Sequence, residues 1–247
     1  RTNSTMKHLT KPIRAIHFMV LAFLMTLSSP VAAQNFQKGE AAYKAGDYAT
    51  AFQEWTPLAE GGNSVAQLAL GLMLERGTGV LQNVAEAARW YQLAADQGHD
   101  NAQYFLGNLY DKGKGVPQDF AVAVKWYTLA AQQGNLIAQV RLSAMYTLAD
   151  GVPEDFTKAL KWSLLAAKEG SLGAQVNLGL IHEYSNHETF KDNLKAHMWY
   201  NIASANGDEN ADEWRDELEG LMTKADISKA QAMARECMSS GYTKCGY

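Results

Sequence analysis

Three groups of residues in this sequence have types and spacings that could support chemistry, and the first contains two histidines. The segment His182-Glu183-Tyr184-Ser185-Asn186-His187 partly matches a helical zinc-protease motif. That motif needs two histidines four residues apart, so that both reach the metal from one helix face. Here the two histidines are five residues apart. We therefore predict no metal site and no metal catalysis at this segment.

Closely spaced glycines form the second group, because such glycines can let backbone N–H groups cradle a phosphate. They occur in Gly77-Thr78-Gly79-Val80 and in Gly113-Lys114-Gly115-Val116. Neither segment continues into the lysine and serine or threonine of a phosphate loop. We interpret both as tight turns, since glycine adopts positive φ at little cost. With no Ser/His/Asp or Cys/His set on elements that would converge, the sequence predicts no enzyme and no cofactor.

The third group is Cys237 and Cys245, the two cysteines of the chain. In an exported protein they would meet oxidising conditions, which favours a disulfide. Gly241 stands between them and would let the chain turn back. The alternatives are two free thiols or a bridge to another molecule.

The elements that would position these residues repeat every 36 residues. The pair Ala102-Gln103 recurs at residues 66, 138 and 174, and Trp126 has counterparts in Trp90 and Trp162. A fixed period of this length indicates a stacked repeat array. We predict that the repeated tryptophans are buried between the layers, where they supply most of the buried area.

Each repeat predicts two helices, because a capping Asp or Asn opens the second helix and a glycine follows it. A variant first repeat comprises Asn35–Ala45 and the helix after Asp47, in which Pro57 predicts a kink or an early end. The other predicted pairs are Ser64–Arg76 with Asn83–Gln97, Asp100–Lys112 with Asp119–Gln133, Asn135–Ala149 with Asp155–Glu169, and Ser171–Tyr184 with Asp192–Asn206. The last connection, Glu183–Lys191, is longer and lacks the glycine turn.

The string A-Q-x-x-L-G-x-x-Y, G-x-G-V-x-x-D, A-x-x-W-Y-x-x-A-A-x-x-G, seen around Ala102 to Gly134, resembles the Sel1-like repeat. That family is related to the tetratricopeptide repeat. The resemblance implies an all-α, right-handed superhelical solenoid of about six antiparallel hairpins over residues 34–207. Residues 208–247 would form capping helices and a disulfide tail. It also implies a non-enzymatic adaptor or scaffold, for example a regulator of an envelope or signalling system. The alternative is a cell-wall or β-lactam hydrolase, from a subgroup with a cysteine pair in every repeat, which this chain lacks.

Residues 1–33 are typical of a signal peptide. Lys7, Lys11 and Arg14 precede an apolar run over Ala15–Leu27, and small residues lead to a predicted cut near Ala33. The run is shorter than the roughly 20 residues that a membrane-spanning helix needs, although an uncleaved anchor is the alternative. We therefore expect a periplasmic or secreted protein with no membrane span after cleavage. The part after residue 33 keeps 18 basic and 26 acidic residues, which argues against nucleic acid as a partner.

The partner predicted by this pattern is another protein, bound by a monomer. In related hairpin repeats the first helices line the concave face. The predicted partner-binding residues lie there beside the packing stripe: Tyr104, Asn108, Val140, Val176 and Leu180. Two alternatives stay open. These side chains could instead pack against the neighbouring repeat, or the partner could bind the Glu183–Lys191 loop.

Overall fold

The computed structural model describes residues 30–185 and 188–247, and within these ranges the chain forms twelve helices and no strand. Most of the predicted leader, residues 1–29, lies outside the described residues. The helices are α1 Pro30–Lys44, α2 Tyr48–Glu60, α3 Ser64–Arg76, α4 Val84–Asp96, α5 Asp100–Lys112, α6 Phe120–Gln132, α7 Leu136–Leu148, α8 Phe156–Lys168, α9 Leu172–Tyr184, α10 Asn193–Ala205, α11 Ala211–Glu219 and α12 Lys224–Ser239. No described helix is both long enough and apolar enough to cross a membrane.

The predicted caps define the helix ends. Asp119, Asp155 and Asp192 each accept a hydrogen bond from the backbone N–H three residues later, at 2.9–3.1 Å, and so satisfy a free amide of the first turn. Gly113 ends α5 in the left-handed conformation, with φ 63°. Ala149 holds the same position after α7 with φ 53°, a conformation that costs a non-glycine residue about 1–2 kcal/mol.

Two sequence expectations about the first hairpin are corrected. Helix α2 runs through Pro57 to Glu60 instead of ending at the proline, and the N–H of Gly61 donates to the Pro57 carbonyl at 3.1 Å. Proline lacks an N–H and so removes one intrahelical donor, but the backbone hydrogen bonds that follow it are formed. Helix α1 begins at Pro30, upstream of the predicted Asn35.

The chain divides into two compact units, one up to Asn83 and one from Val84 onward. In the first unit, Trp55 of α2 packs against Phe36 and Tyr43 of α1, with ring centroids 5.8 and 5.7 Å away. Gly39 of α1 makes this possible, because a Cβ at that position would lie 2.5 Å from the indole Nε1. The indole N–H also donates to the Phe36 carbonyl at 3.2 Å, so the variant first repeat is held by one tryptophan.

The second unit stacks helices in chain order, with α5 on α6, α7 on α8 and α9 on α10. Small alanines such as Ala123, Ala130 and Ala166 are fully buried where helices meet. Among the repeated tryptophans, Trp126, Trp162 and Trp199 are buried, as predicted. Trp90 is only half-buried, which corrects the prediction at that position. The chain is an all-α repeat solenoid, as its period predicts.

A recurring glycine inside the first helices makes room for a tyrosine of the second. A Cβ on Gly107 would lie 2.9 Å from the Tyr127 ring, and one on Gly179 would lie 2.2 Å from the Tyr200 ring. The repeat between them has Ser143 in place of the glycine. There the tyrosine is replaced by Ser163, and the two buried hydroxyls hydrogen-bond to each other. The recurring glycine thus lets a tyrosine ring pack directly on the helix backbone.

The predicted disulfide between Cys237 and Cys245 is present. It closes a short loop after α12, and both cysteines are buried in a cluster with Trp199 and Ile202 of α10. The tail is therefore part of the packed end of the array, in contact with the last repeat.

Candidate partner-binding groove

Three of the five predicted partner-binding residues line one groove. Tyr104 of α5, Val140 of α7 and Val176 of α9 meet there, because first helices of successive repeats lie side by side. The groove has a volume of about 340 Å³, and its other walls include Ile137, Arg141, Asp208 and Trp214. We call it the inner groove. Ile137 is its most open apolar side chain, with 58% of its surface exposed.

The two remaining predicted residues lie apart from the groove lining. Asn108 is half-buried and makes a hydrogen bond with the Tyr127 hydroxyl. Leu180 packs against Trp214 in a cluster that also contains Val176, Ala203 and Ala211. Val176 itself is only 8% exposed. Val176 and Leu180 therefore fit the alternative interpretation, in which these side chains pack inside the protein, because α11 covers them.

Trp214 is the groove residue that sequence reasoning missed. Its helix, α11, belongs to the predicted capping segment 208–247, to which the repeat pattern assigns no partner-binding residue. Ala211, Trp214 and Leu218 nevertheless follow a helical spacing of three and four residues, and that apolar stripe was the available signal. The Trp214 ring is half-buried and lies 5.9 Å from the Tyr200 ring, so α10 fixes its position.

A network of charged side chains surrounds Arg141, one of the groove residues. Asp111 of α5 is 1% exposed and accepts hydrogen bonds from Arg141 Nε and Nη2, both at 2.9 Å, and from the Tyr127 hydroxyl at 3.1 Å. Arg141 also donates to Asp150 at 2.8 Å. Burial acts to raise the pKa of Asp111, but the hydrogen bonds and charge of Arg141 outweigh it and hold that pKa below its usual value. Arg141 therefore pairs with two carboxylates, whose negative charges compensate its positive charge.

A similar tyrosine–carboxylate pair holds the last repeat. The Tyr200 hydroxyl donates to Glu183 Oε2 at 2.7 Å, at positions equivalent to Tyr127 and Asp111. Burial raises the pKa of both phenols, and the neighbouring carboxylates raise it further. Both hydroxyls therefore stay protonated and act as donors that join the two helices of a repeat.

The connection after α9 is anchored by His182. This residue stands where Tyr110 and Tyr146 occur in other repeats, and it is buried. Its Nδ1–H donates to the Phe190 carbonyl at 2.7 Å, and its Nε2 accepts from the Tyr247 hydroxyl. The Tyr247 oxygen in turn accepts from Trp199 Nε1 at 2.9 Å. Burial lowers the pKa of His182, so the neutral ring is a packed structural element.

This geometry bears on the sequence alternatives for that segment. Residues 186 and 187, including the second histidine of the zinc-like segment, lie outside the described residues. In the ranges that the structure describes, no three His, Cys, Asp or Glu side chains are grouped as a metal site would require. Glu183 and Tyr184 belong to α9, and Phe190 packs on Phe156 with ring centroids 5.7 Å apart. Phe190 thus anchors the end of the connection on the preceding repeat.

Two other grooves lie between consecutive repeats. One, of about 650 Å³, is lined by Gln139, Lys161, Trp162 and Leu165, and another, of about 480 Å³, by Arg89, Leu93 and Tyr110. Lys161 lies over the Trp162 ring at 5.0 Å, as Lys125 does over Trp126 at 5.5 Å. These walls are repeated positions of the array. The inner groove instead combines positions that differ between repeats with a helix outside them.

A sequence profile of the Sel1 repeat matches residues 64–99, 100–135, 136–171 and 173–208. A solved Sel1 repeat protein from Oxalobacter formigenes is 30% identical, with a TM-score of 0.69, over 84% of this chain and 83% of that one. A protective antigen present in uropathogenic Escherichia coli strains, displaying an SLR fold, is 27% identical with a TM-score of 0.50, over 85% of this chain and 55% of the antigen. No protein of curated function matches.

Proposed function

The chain belongs to the Sel1 repeat family, and we propose from this premise that it is an exported, non-enzymatic adaptor that binds another protein in its inner groove. Sel1 repeat proteins are generally protein-interaction scaffolds. The more specific role, in an envelope or signalling system, is our proposal. The observation that carries it is the meeting of Tyr104, Val140 and Val176 with Trp214 around one open groove.

The groove suits a short segment of a partner protein. Its apolar walls come from three successive first helices and from α11, so a bound segment would contact several repeats at once. Tyrosine and tryptophan are common anchors in protein interfaces, because they offer large contact area at low entropic cost. A volume of about 340 Å³ accommodates a few side chains of an extended or helical peptide.

Export is supported by the leader-like sequence of residues 1–33 and by the disulfide in the tail, since disulfides persist in oxidising compartments. We expect a mature protein in the periplasm or the medium that begins near Gln34. Mass spectrometry of the protein from the cell envelope fraction measures this start directly. An intact N-terminus on cytoplasmic protein would contradict export.

Photocrosslinking in the native host tests the adaptor role. A photoreactive phenylalanine analogue replaces Ile137, which is 58% exposed in the inner groove, and in a matched protein it replaces Leu165, which is 42% exposed in the groove between α7 and α8. We expect one partner protein to be crosslinked from position 137 and much less from position 165. No crosslinked partner at position 137, with the protein folded and located as expected, would count against the proposal.

The hydrolase alternative has no supporting observation in the described residues. A screen of the purified chain with intact peptidoglycan and with a chromogenic β-lactam tests it. We expect no turnover, and turnover that persists through repurification would overturn the non-enzymatic assignment.

A further inference from the structure

We propose that the partner segment bound in the inner groove is basic as well as apolar, so that a lysine or arginine side chain lies beside an apolar anchor. This inference rests on the proposed function and adds the chemistry of the partner. It follows from the charge of α11, from the pairing of the charges around the groove, and from the aromatic residues in its walls.

Helix α11 and its cap form an acidic wall. Residues 208–219 contain seven carboxylates and one basic residue. Two of these carboxylates face α10, where Asp212 accepts from the Ser204 hydroxyl at 2.7 Å and Glu219 lies 2.8 Å from His197 Nε2. Ala211, Trp214 and Leu218 pack against α9 and α10, while Glu213 and Glu217 are exposed to solvent.

Asp208, which precedes α11, is the carboxylate of this segment that lines the groove. Glu217 lies farther along, near Tyr184 at the end of α9, where its charge and, more strongly, that of Glu183 raise the pKa of the Tyr184 phenol. The acidic segment therefore extends from the groove toward the end of α9, and its exposed carboxylates add to the negative potential beside Trp214.

These carboxylates are not balanced by basic side chains. Across the described ranges, Glu213 and Glu217 form no ion pair, and Asp208 only caps the backbone N–H groups of Asn210 and Ala211. Arg215, the basic residue of this helix, is held by Asp212 at 2.6 Å and by Asp216 at 2.7 Å.

The basic residue in the groove, Arg141, is neutralised. It binds Asp111 and Asp150 at 2.8 Å each, so it adds no net positive charge to the inner groove. The groove thus presents an uncompensated negative potential next to apolar walls, and such a surface attracts positive side chains.

The aromatic walls favour the same ligand. Trp214 and Tyr104 both line the groove, with Val140 and Val176 between them. An indole or phenol face attracts a guanidinium or ammonium group when the cation lies within about 6 Å of the ring centroid. Val140 and Ile137 would contact the apolar part of the same segment. A second copy of this chain is a poorer occupant, because the chain carries a net charge of −4 and like charges repel.

Selection from short random peptides displayed on phage, with the immobilised full chain as target, tests this inference. We expect the enriched peptides to carry lysine or arginine next to an apolar residue. A fluorescent copy of the most enriched peptide then gives Kd values for the wild type and for Glu213→Lys/Glu217→Lys. The matched control, Glu154→Lys/Glu236→Lys, makes the same charge change at exposed positions away from the groove.

We expect the groove variant to bind at least about tenfold more weakly than the wild type and the control variant to bind like the wild type. Enriched peptides without excess basic residues, no enrichment at all, or equal Kd values for the two variants would each overturn the inference. The in-host crosslink separates this from the adaptor role. A partner that crosslinks at position 137 equally well in the groove variant would contradict the basic segment and leave the adaptor intact.

Discussion

Two connections between paired helices of this solenoid form the equivalent backbone hydrogen bond, but different interactions hold them in place. Between α5 and α6, the N–H of Asp119 donates to the Tyr110 carbonyl at 3.0 Å. Between α9 and α10, the N–H of Asp192 donates to the His182 carbonyl at 2.9 Å. The hairpin closes alike in both places, although the second connection is longer and has no glycine turn.

The regular connection is held by backbone conformation. Gly113 and Gly115 both have positive φ, and a Cβ on Gly115 would lie 2.6 Å from the carbonyl carbon of Val84. The edited connection is held by side chains, since His182 joins Phe190 to Tyr247 and Trp199. The comparison teaches that this repeat tolerates the loss of its glycine turn where the tail supplies a hydrogen-bonded cluster in its place.

The largest effect is expected from the tryptophans of the two regions. Trp126→Ala removes a packed ring from the regular part and should lower the free energy of unfolding by about 3–5 kcal/mol. Trp199→Ala should cost at least as much, because Trp199 is 1% exposed and also donates to Tyr247. Urea unfolding monitored by circular dichroism measures both. Unfolding of either variant at the wild-type urea midpoint would show that its ring is not part of the core.

The next largest loss of stability is expected from substitutions at the glycines inside the first helices, on which tyrosine rings pack. A Cβ on Gly179 would lie 2.2 Å from Tyr200, whereas one on Gly107 would lie 2.9 Å from Tyr127. Gly179→Ala should therefore destabilise by about 1–3 kcal/mol, and Gly107→Ala by less. The control is Ser143→Ala/Ser163→Ala in the intervening repeat, which removes both hydrogen-bonded hydroxyls together and introduces no clash. Equal melting temperatures for all three variants would contradict the ring-on-backbone packing.

The hydrogen-bonded cluster around His182 predicts that the stability of the edited connection depends on pH, unlike that of the glycine turn. Burial lowers the pKa of His182; nearby Lys195 adds to this, while Phe190 and Asp192 oppose it. The folded chain then binds fewer protons than the unfolded chain. The stabilisation is complete above the unfolded pKa of about 6.5, and it is lost as the pH falls from there through the lower pKa of the folded state.

His182→Gln checks this sign, because glutamine keeps a donor and an acceptor but does not titrate. The difference in unfolding free energy between wild type and variant should shrink below pH about 6.5, by at most about 1.4 kcal/mol per pH unit. A difference that is constant from pH 5 to pH 8, the range about the usual histidine pKa, would mean that His182 does not titrate differently on folding.

The smallest effect concerns the third repeat, where Ala149 takes the place of Gly113 at φ 53°. Ala149→Gly removes the left-handed strain but makes the unfolded chain more flexible. We expect a net stabilisation of less than about 1 kcal/mol. Gly113→Ala is the reciprocal change and should destabilise. A loss of stability in Ala149→Gly, measured by thermal unfolding, would show that Ala149 is not strained.

The repeat architecture could be predicted from the sequence because each 36-residue unit carries its own local signals. The cap at Asp119 and the stop at Gly113 act within a few residues of the chain, so they can be predicted from the local sequence. The early end predicted as one outcome at Pro57 does not occur, since α2 continues to Glu60.

The inner groove was predictable only in part. Tyr104 and Val140 follow from the repeat register, but Trp214 reaches the groove from a helix outside that register. The contact between His182 and Tyr247 spans 65 residues, and the pair of Arg141 and Asp111 spans 30. Such contacts depend on how the last repeats and the tail pack, and no periodic pattern encodes them.

The central claim is that the inner groove, and not the edited connection, binds the partner. Once the partner crosslinked at position 137 is identified, its Kd is measured for the wild type, for Tyr104→Ala and for Glu188→Ala/Lys191→Ala, whose two positions are exposed in the connection. We predict that Tyr104→Ala keeps the fold and weakens binding by about 1–2 kcal/mol or more, while the connection variant binds like the wild type. An unchanged Kd for Tyr104→Ala, with binding lost in the folded connection variant, would contradict the claim.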